Sequence, residues 1–258
     1  MKVLISSIGS RGDVQPILAL ACELQALGHQ ASLCVAPNFK DWVESYGVNC
    51  FPIGPDPTIA PTGATLDMQI VQTGAWLLHE QSSLPDYVEY FLANGDPPVY
   101  FGFGSMRAAE QTSRVLIEAA RVMGRRSIIS QGWGNLGQID GGTDSISISD
   151  VNHDELFAQV AAIVHHGGAG TTTAAARAGK PQIIVPHSYD QHYWASRVQK
   201  LGIGVSGPVS SELRVDAMVQ ALRECSRQEL AATAQTLASR VEVNGARVAA
   251  NRLISEFG

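Results

Sequence analysis

The chain is predicted to be an α/β protein built from two Rossmann-like units, the first of them truncated to about three parallel strands. Three observations predict this. Short apolar runs alternate with stretches of helical period over most of the 258 residues. Several of those runs end in glycine turns, where a strand of a parallel sheet hands over to a helix. Hydrophobic residues make up 45% and charged residues 16%, enough apolar material for real cores.

Residues 3–8 are a continuous apolar and small run ending in Gly9-Ser10-Arg11-Gly12, which reads as a buried strand entering a tight turn. Val14, Ile17, Leu18, Ala21, Leu24 and Leu27 then recur at helical spacing, with Pro16 read as lying in the first turn and Gly28 at the stop. Residues 30–36 form a second strand, 38–46 a short helix with Asn38 as N-cap, and 48–53 a third strand. The pattern breaks over 54–74, where Pro55, Pro57 and Pro61 interrupt any period and mark a linker.

A second unit starts near Val99. VYFGFG is a strand, 108–123 a helix closed by Gly124, and 127–130 a strand followed by the glycine-rich GWGNLGQIDGG. A short strand over 146–148, a helical turn over 154–157 and a strand over 161–164 come next. A turn leads into a helix over 171–178 and a strand over 182–185. Helices over 191–201 and 211–224 flank a strand over 203–205, and 229–257 reads as one or two helices broken near Asn244-Gly245. The domains expected are 1–62, braced by a C-terminal helix over 242–258, and 67–241. No solenoid repeat or low-complexity segment is present.

Composition excludes some functions. The net charge is −6 with no basic footprint, which argues against a nucleic-acid partner. Cys22, Cys34, Cys50 and Cys225 form no CxxC pair and read as free thiols in a reducing compartment. The opening MKVLISSIGSRGD is too short in its apolar run for a signal peptide, and no run approaches the roughly 18 apolar residues of a membrane span. A soluble cytoplasmic protein is expected.

The chemistry concentrates in IVHHGGAGTTTAAARAGKPQIIVPHSYDQ. At His166-Gly167-Gly168-Ala169-Gly170-Thr171 a buried strand gives way to a helix. Glycines admit a ligand to the backbone, and the unpaired first N–H groups with the helix dipole suit a diphosphate. A histidine there can donate to phosphate oxygen and, if protonated, offset its charge. The same residues also read as a glycine-rich turn beside a core histidine. The spacing fits neither the G-x-G-x-x-G fingerprint nor a P-loop.

Asp190-Gln191 follows the next strand, and a carboxylate beside an amide suits vicinal sugar hydroxyls. Asp190 also reads as the N-cap of the following helix. Ser105, after Gly102-Phe103-Gly104, faces the phosphates or caps a helix, and Asp13 is either a helix cap or a general base. His165 and His166 point to opposite faces of a strand, which disfavours one shared metal ion.

GSRGDVQP, FGFGS, VNHDELF and the long motif above resemble those of the GT-B nucleotide-sugar glycosyltransferases. The likeness is strongest to the vancomycin-group antibiotic enzymes and the sterol glucosyltransferases. It runs almost continuously from Asp67 onward, with 1–57 as a separate stretch, and VQTGAWLLHE looks like the join into that family's donor domain. The resemblance implies inverting transfer of sugar from a UDP- or TDP-sugar to a hydroxyl of a natural product, sterol or lipid.

It also implies roles for individual residues. Asp13 would be the base. His166 and the backbone of Gly167, Gly168, Ala169, Gly170 and Thr171 would hold the diphosphate, with Ser105, Ser10 and Arg11 nearby. Val151 and His153 would meet the nucleobase and ribose, and Asp190 and Gln191 the sugar. No metal and no cofactor beyond the nucleotide sugar is implied. Against the usual domain size, on the order of 140 residues of the acceptor domain are missing. Two outcomes follow from that gap: an active compact transferase, or a nucleotide-sugar-binding remnant without an acceptor pocket. A three-strand sheet would also bare an edge open to homodimerisation.

Overall fold

Parallel strands need a crossover between each pair, and this chain supplies a helix at most of them. The computed structural model describes residues 1–7, 11–35, 39–52, 73, 75–76, 78, 80, 82–104, 111–132, 136–137, 140–187, 190–241 and 243–257. Contacts divide the chain into one unit of Met1–His79 with Glu242–Gly258 and a second of Glu80–Val241.

The first unit contains β1 (Lys2–Ser6), α1 (Arg11–Ala26), β2 (Gln30–Val35), α2 (Lys40–Ser45) and β3 (Asn49–Pro52). The second contains α3 (Asp86–Ala93), β4 (Val99–Gly102), α4 (Thr112–Val122), β5 (Ser127–Ser130), β6 (Ser145–Ile148), α5 (His153–Phe157) and β7 (Ala162–His165). It continues with α6 (Ala169–Arg177), β8 (Gln182–Ile184), α7 (Gln191–Lys200), β9 (Gly204–Ser206), a 3-10 turn (Ser210–Glu212), α8 (Val215–Cys225) and α9 (Gln228–Ala238). The last helix, α10 (Gly245–Phe257), belongs to the first unit.

In the first unit the strands run parallel in the order β1-β2-β3. Val3, Ile5, Ala31, Leu33, Val35 and Cys50 pack one sheet face against Val14, Leu18, Ala21, Leu24, Val43 and α10's Ala249 and Ala250. Arg247 on α10 adds an ion pair to Glu23 on α1 at 3.1 Å. On the opposite face Leu4 is 65% and Phe51 55% exposed.

Three expectations change here. Helix α1 starts at Arg11, so Pro16 falls in the second turn and removes the N–H that would bond the Gly12 carbonyl. Asp13 is the third helical residue, which removes it from the cap position and leaves its carboxylate in the first turn, where the dipole favours it. The N-cap position of α2 is Phe39, without a side-chain cap bond, and Asn38 lies outside the described residues.

The second unit's six parallel strands run β6-β5-β4-β7-β8-β9. Strands β4, β7 and β8 are buried throughout, because helices cover both faces of this sheet. Phe101, Val164 and Ile183 face Leu116, Ile117, Met218 and Leu222 on one side. Tyr100, Ile163 and Ile128 face Val88, Leu156 and Phe157 on the other. Helix α3 was not anticipated from sequence. It buries Val88 and Phe91, and the Arg126 guanidinium sits 4.3 Å over the Phe91 ring while donating to the Phe91 and Asp96 carbonyls. The stretch read as one helix over 211–224 breaks into the 3-10 turn and α8.

Candidate functional site

From β4 the chain steps outward through β5 and β6, then returns to lay β7 on the other side of β4. Two crossovers therefore leave in opposite directions, and a crevice opens at the carboxyl ends of β4 and β7. Gly102 and His165, the last residues of those strands, lie in register beside each other. The described residues that follow the strands at this end of the sheet are Phe103-Gly104, His166-Gly167-Gly168 and, beyond β8, the segment reaching His187.

His165 is wholly buried. Its Nδ1 accepts from the Gly167 N–H at 3.1 Å, and its Nε2 lies 2.8 Å from Gln182 Oε1. Burial first, and the neighbouring His166 second, push its pKa down to about 3. The two rings stand 6.5 Å apart and nearly perpendicular. Among the described residues no group of three or more His, Cys, Asp or Glu could hold a metal ion.

The His166 ring fits between two glycines. A Cβ on Gly168 would lie 2.7 Å from its Nε2, and one on Gly104 would lie 3.1 Å from its Cε1. Its Nδ1 is buried and makes no well-formed hydrogen bond to the described residues; the Gly102 carbonyl is the backbone group that acts on the ring. Desolvation, reinforced by His187, lowers its pKa to about 4, against the opposing pull of Asp190 and a Gly102 backbone bond. The ring is therefore neutral at pH 7, so of the two roles read from sequence, donation and, if protonated, charge offset, the condition for the second is not met in the free protein.

Helix α6 begins at Ala169 with Gly168 as its N-cap, two residues earlier than the sequence suggested. Ala169, Gly170 and Thr171 thus form its first turn, where N–H groups have no intrahelical acceptor and the dipole is positive. Thr172 and Thr173 turn their hydroxyls back onto the Gly168 and Ala169 carbonyls. Gly167, at φ 97°, takes a left-handed turn, and a Cβ there would strike Ile184 Cγ2 at 2.7 Å.

Asp190 and Gln191 are at the start of α7, and both are partly committed. Asp190 occupies the N-cap position in a helical conformation without a side-chain cap bond. Its Oδ2 instead accepts from Trp194 Nε1 at 3.1 Å, so the capping alternative is overturned. Buried Gln191 uses Oε1 to accept the His187 N–H at 2.7 Å. His187, not singled out from sequence, donates from Nδ1 to the Val185 carbonyl at 3.1 Å and packs edge-on against Phe103. Its place inside VPHSYDQ, three residues before Asp190, was the available signal.

On the other side of β4, Val151 packs against the Tyr100 and Phe157 cluster. His153 opens α5, stacks on Phe157 at 4.6 Å and places Nε2 3.3 Å from the Tyr100 hydroxyl. Burial raises the Tyr100 pKa to about 12, so this phenol stays protonated. Asn152 caps α5 through the Asp154 and Glu155 N–H groups and donates to the Glu80 and Ser82 carbonyls. The cap was legible as N-x-x-E in VNHDELF but was not singled out.

Ser10 and Ser105 lie outside the described residues. In the first unit the Arg11 guanidinium sits 4.8 Å over the Trp42 ring, and Asp13 is exposed in the first turn of α1.

Sequence comparison matches residues 3–128 to the glycosyltransferase family 28 N-terminal domain. Residues 142–246 match the erythromycin biosynthesis protein CIII-like C-terminal domain. Vancomycin aglycone glucosyltransferase of Amycolatopsis orientalis is 46% identical over 204 residues, covering 78% of this chain and 49% of the relative. Sterol 3-beta-glucosyltransferase UGT80B1 of Arabidopsis thaliana is 35% identical over 157 residues, covering 59% and 26%. The chain spans about half the length of the first of these curated relatives.

Among solved structures, the glycosyltransferase VinC in complex with dTDP superposes with a TM-score of 0.73 at 15% identity, covering 100% of both chains, which speaks for the fold. Among the described residues no helix is long and apolar enough to cross a membrane. With its switch-point crevice, its glycine-lined histidine and these relatives, the chain belongs to the GT-B glycosyltransferases of the vancomycin-group and EryCIII-like type, with sterol glucosyltransferases as kin.

Proposed function

We propose that the second unit binds a UDP- or TDP-sugar at the carboxyl ends of β4, β7 and β8. The diphosphate would rest on the first turn of α6, with His166 Nδ1 turned to one of its oxygens. Asp190 and Gln191 would meet sugar hydroxyls. Val151 and His153 would border the nucleoside. The observation that carries this reading is the buried Nδ1 of His166, without a well-formed hydrogen bond among the described residues, beside a helix start at the topological switch point.

The reaction would be inverting transfer to the hydroxyl of a small natural-product, sterol or lipid acceptor, in a cytoplasmic setting. Asp13 takes the acceptor proton, the resulting oxygen attacks the anomeric carbon in line, and the nucleoside diphosphate leaves. Oriented N–H groups and the neutral His166 stabilise the charge that develops on the leaving group, so the proposed chemistry calls on no metal ion.

The half-length match to the relatives favours a second reading, a donor-binding protein without transferase activity. Labelled UDP- and TDP-sugars with wild type and Asp13→Asn separate the two. Turnover, as transfer or hydrolysis, by wild type and its loss in Asp13→Asn supports the enzyme. Binding with no turnover supports the second reading, and equal rates from both proteins remove Asp13 from the mechanism.

A further inference from the structure

His165 is the member of the histidine pair that the proposed mechanism leaves unused. It is fully buried in a strand that is otherwise apolar, and burial of a polar ring is unfavourable unless its bonds are made. Both ring nitrogens are engaged. Because the backbone N–H of Gly167 is a donor, Nδ1 must be the bare nitrogen, and the ring proton therefore sits on Nε2. That proton is donated to Gln182 Oε1 at 2.8 Å. The orientation of the Gln182 amide follows, since its Nε2 then donates to the Thr172 carbonyl at 3.4 Å. A single chain of bonds thus runs from α6 through β8 and β7 to the peptide N–H of Gly167. Charge does not disturb it, because the ring is neutral across the physiological range.

We propose that His165 is a positioning residue for the phosphate-binding turn: it ties down the Gly167 N–H, and so fixes the turn that carries His166 and opens α6. The inference rests on the reading of that turn as the diphosphate site. Two close approaches show why a tie is needed. Gly167 is held in a left-handed conformation against Ile184, and its own neighbour His166 is wedged between Gly104 and Gly168. The bond from the Gly167 N–H to His165 Nδ1 fixes the rotation of the 166–167 peptide, the link between the wedged His166 and the left-handed Gly167. Holding the Gly167 N–H inward sets that rotation, and it leaves the N–H groups of the α6 first turn facing the crevice. His165 touches no substrate in this scheme. It acts through Gly167.

The test uses His165→Asn and His165→Leu. Asparagine offers its side-chain oxygen to the N–H two residues on, the geometry of an Asx turn, whereas leucine offers nothing. Affinity for TDP and UDP is measured by calorimetry, and protection of the Gly167 amide by hydrogen exchange. Loss of one buried bond predicts about tenfold weaker binding for His165→Leu, with His165→Asn restored to near wild type. The Gly167 amide should be protected in wild type and His165→Asn and exposed in His165→Leu. In wild type, the ¹⁵N shifts of the ring should report a bare Nδ1 and a protonated Nε2.

Equal affinity in wild type and His165→Leu overturns the proposal, as does His165→Asn binding as weakly as leucine while its Gly167 amide stays protected. If wild type binds neither nucleotide, the function reading fails, and the amide decides on its own whether His165 holds the turn.

Discussion

Acid should destabilise the second unit well before it protonates the carboxylates. His165 and His166 have folded pKa values of about 3 and about 4, against 6.5 for the free side chain. Between those limits the unfolded chain binds more protons than the native one, so stability rises with pH through this window. It is complete above pH 6.5 and lost as pH falls toward the folded values. At pH 5.0 each ring withholds a proton that the unfolded chain would take, 1.5 units below the free value, which is about 2 kcal/mol per histidine.

The pair together contribute about 4 kcal/mol, and their mutual repulsion acts in the same direction. For a unit of this size that corresponds to a fall in Tm of roughly 8–16 °C between pH 7.5 and 5.0. Asp140, Asp144 and Asp216 have pKa values lowered from 3.8, so their losses fall at more acid pH and do not overlap this window. Scanning calorimetry at pH 7.5, 6.0 and 5.0 measures the fall. Wild type that melts within about 3 °C at all three pH values would refute the reasoning, as would an undiminished slope in a His165→Asn, His166→Asn double variant.

Two further outcomes follow from particular contacts. His166→Ala should weaken TDP or UDP binding by about 1.5–3 kcal/mol, the range for a hydrogen bond to a charged group. Gly168→Ala attacks the same contact from the other side. Its backbone, at φ −64° and ψ 139°, suits alanine, so any loss of nucleotide affinity comes from the Cβ placed 2.7 Å from His166 Nε2; unchanged Kd in both variants would show the ring is only packing. In the first unit, Leu4 and Phe51 share an uncovered face of a parallel sheet, and self-association through it is expected. Sedimentation velocity should show concentration-dependent dimers that Leu4→Lys abolishes, and a wild type monomeric at every concentration would count against it.

The strand, turn and helix around His166 were legible in sequence because local chemistry specifies them. The run 161–164 is apolar, the glycines are contiguous, and the small residues after them suit a helix packed close to a sheet. The starting point of α6 was misplaced by two residues because alanine and glycine at 169 and 170 carry no cap signal, while the helix is set by the turn that His165 holds. Helix α3 escaped notice for a related reason. Only Val88 and Phe91 are buried among its eight residues, with Leu92 partly so, and the Arg126 stack that completes it comes from a residue 35 positions later. The charge state of His166 was beyond the sequence altogether. It depends on Gly104 and His187, which arrive from two other strands.

That neutral histidine gives nucleotide binding a pH signature distinct from the stability of the fold. In the free protein Asp190 already pulls the His166 pKa upward, and burial overcomes it. A diphosphate beside the ring adds negative charge and replaces the missing Nδ1 partner, so the pKa must rise on binding. The complex then holds more protons than the free protein between the two pKa values, and affinity increases as pH falls into that window. At pH 7.5 the proposed site would bind through the helix dipole and a neutral donor, and no proton should be taken up. Calorimetric titrations of a TDP-sugar, whose diphosphate diester does not itself titrate in this range, in buffers of different ionisation enthalpy should give identical heats at pH 7.5 and diverge near pH 5.5, still inside the stable range at low temperature. The divergence should vanish in His166→Ala. Buffer-independent heats at both pH values would mean that no phosphate approaches the ring, and the diphosphate would have to be placed elsewhere on the unit.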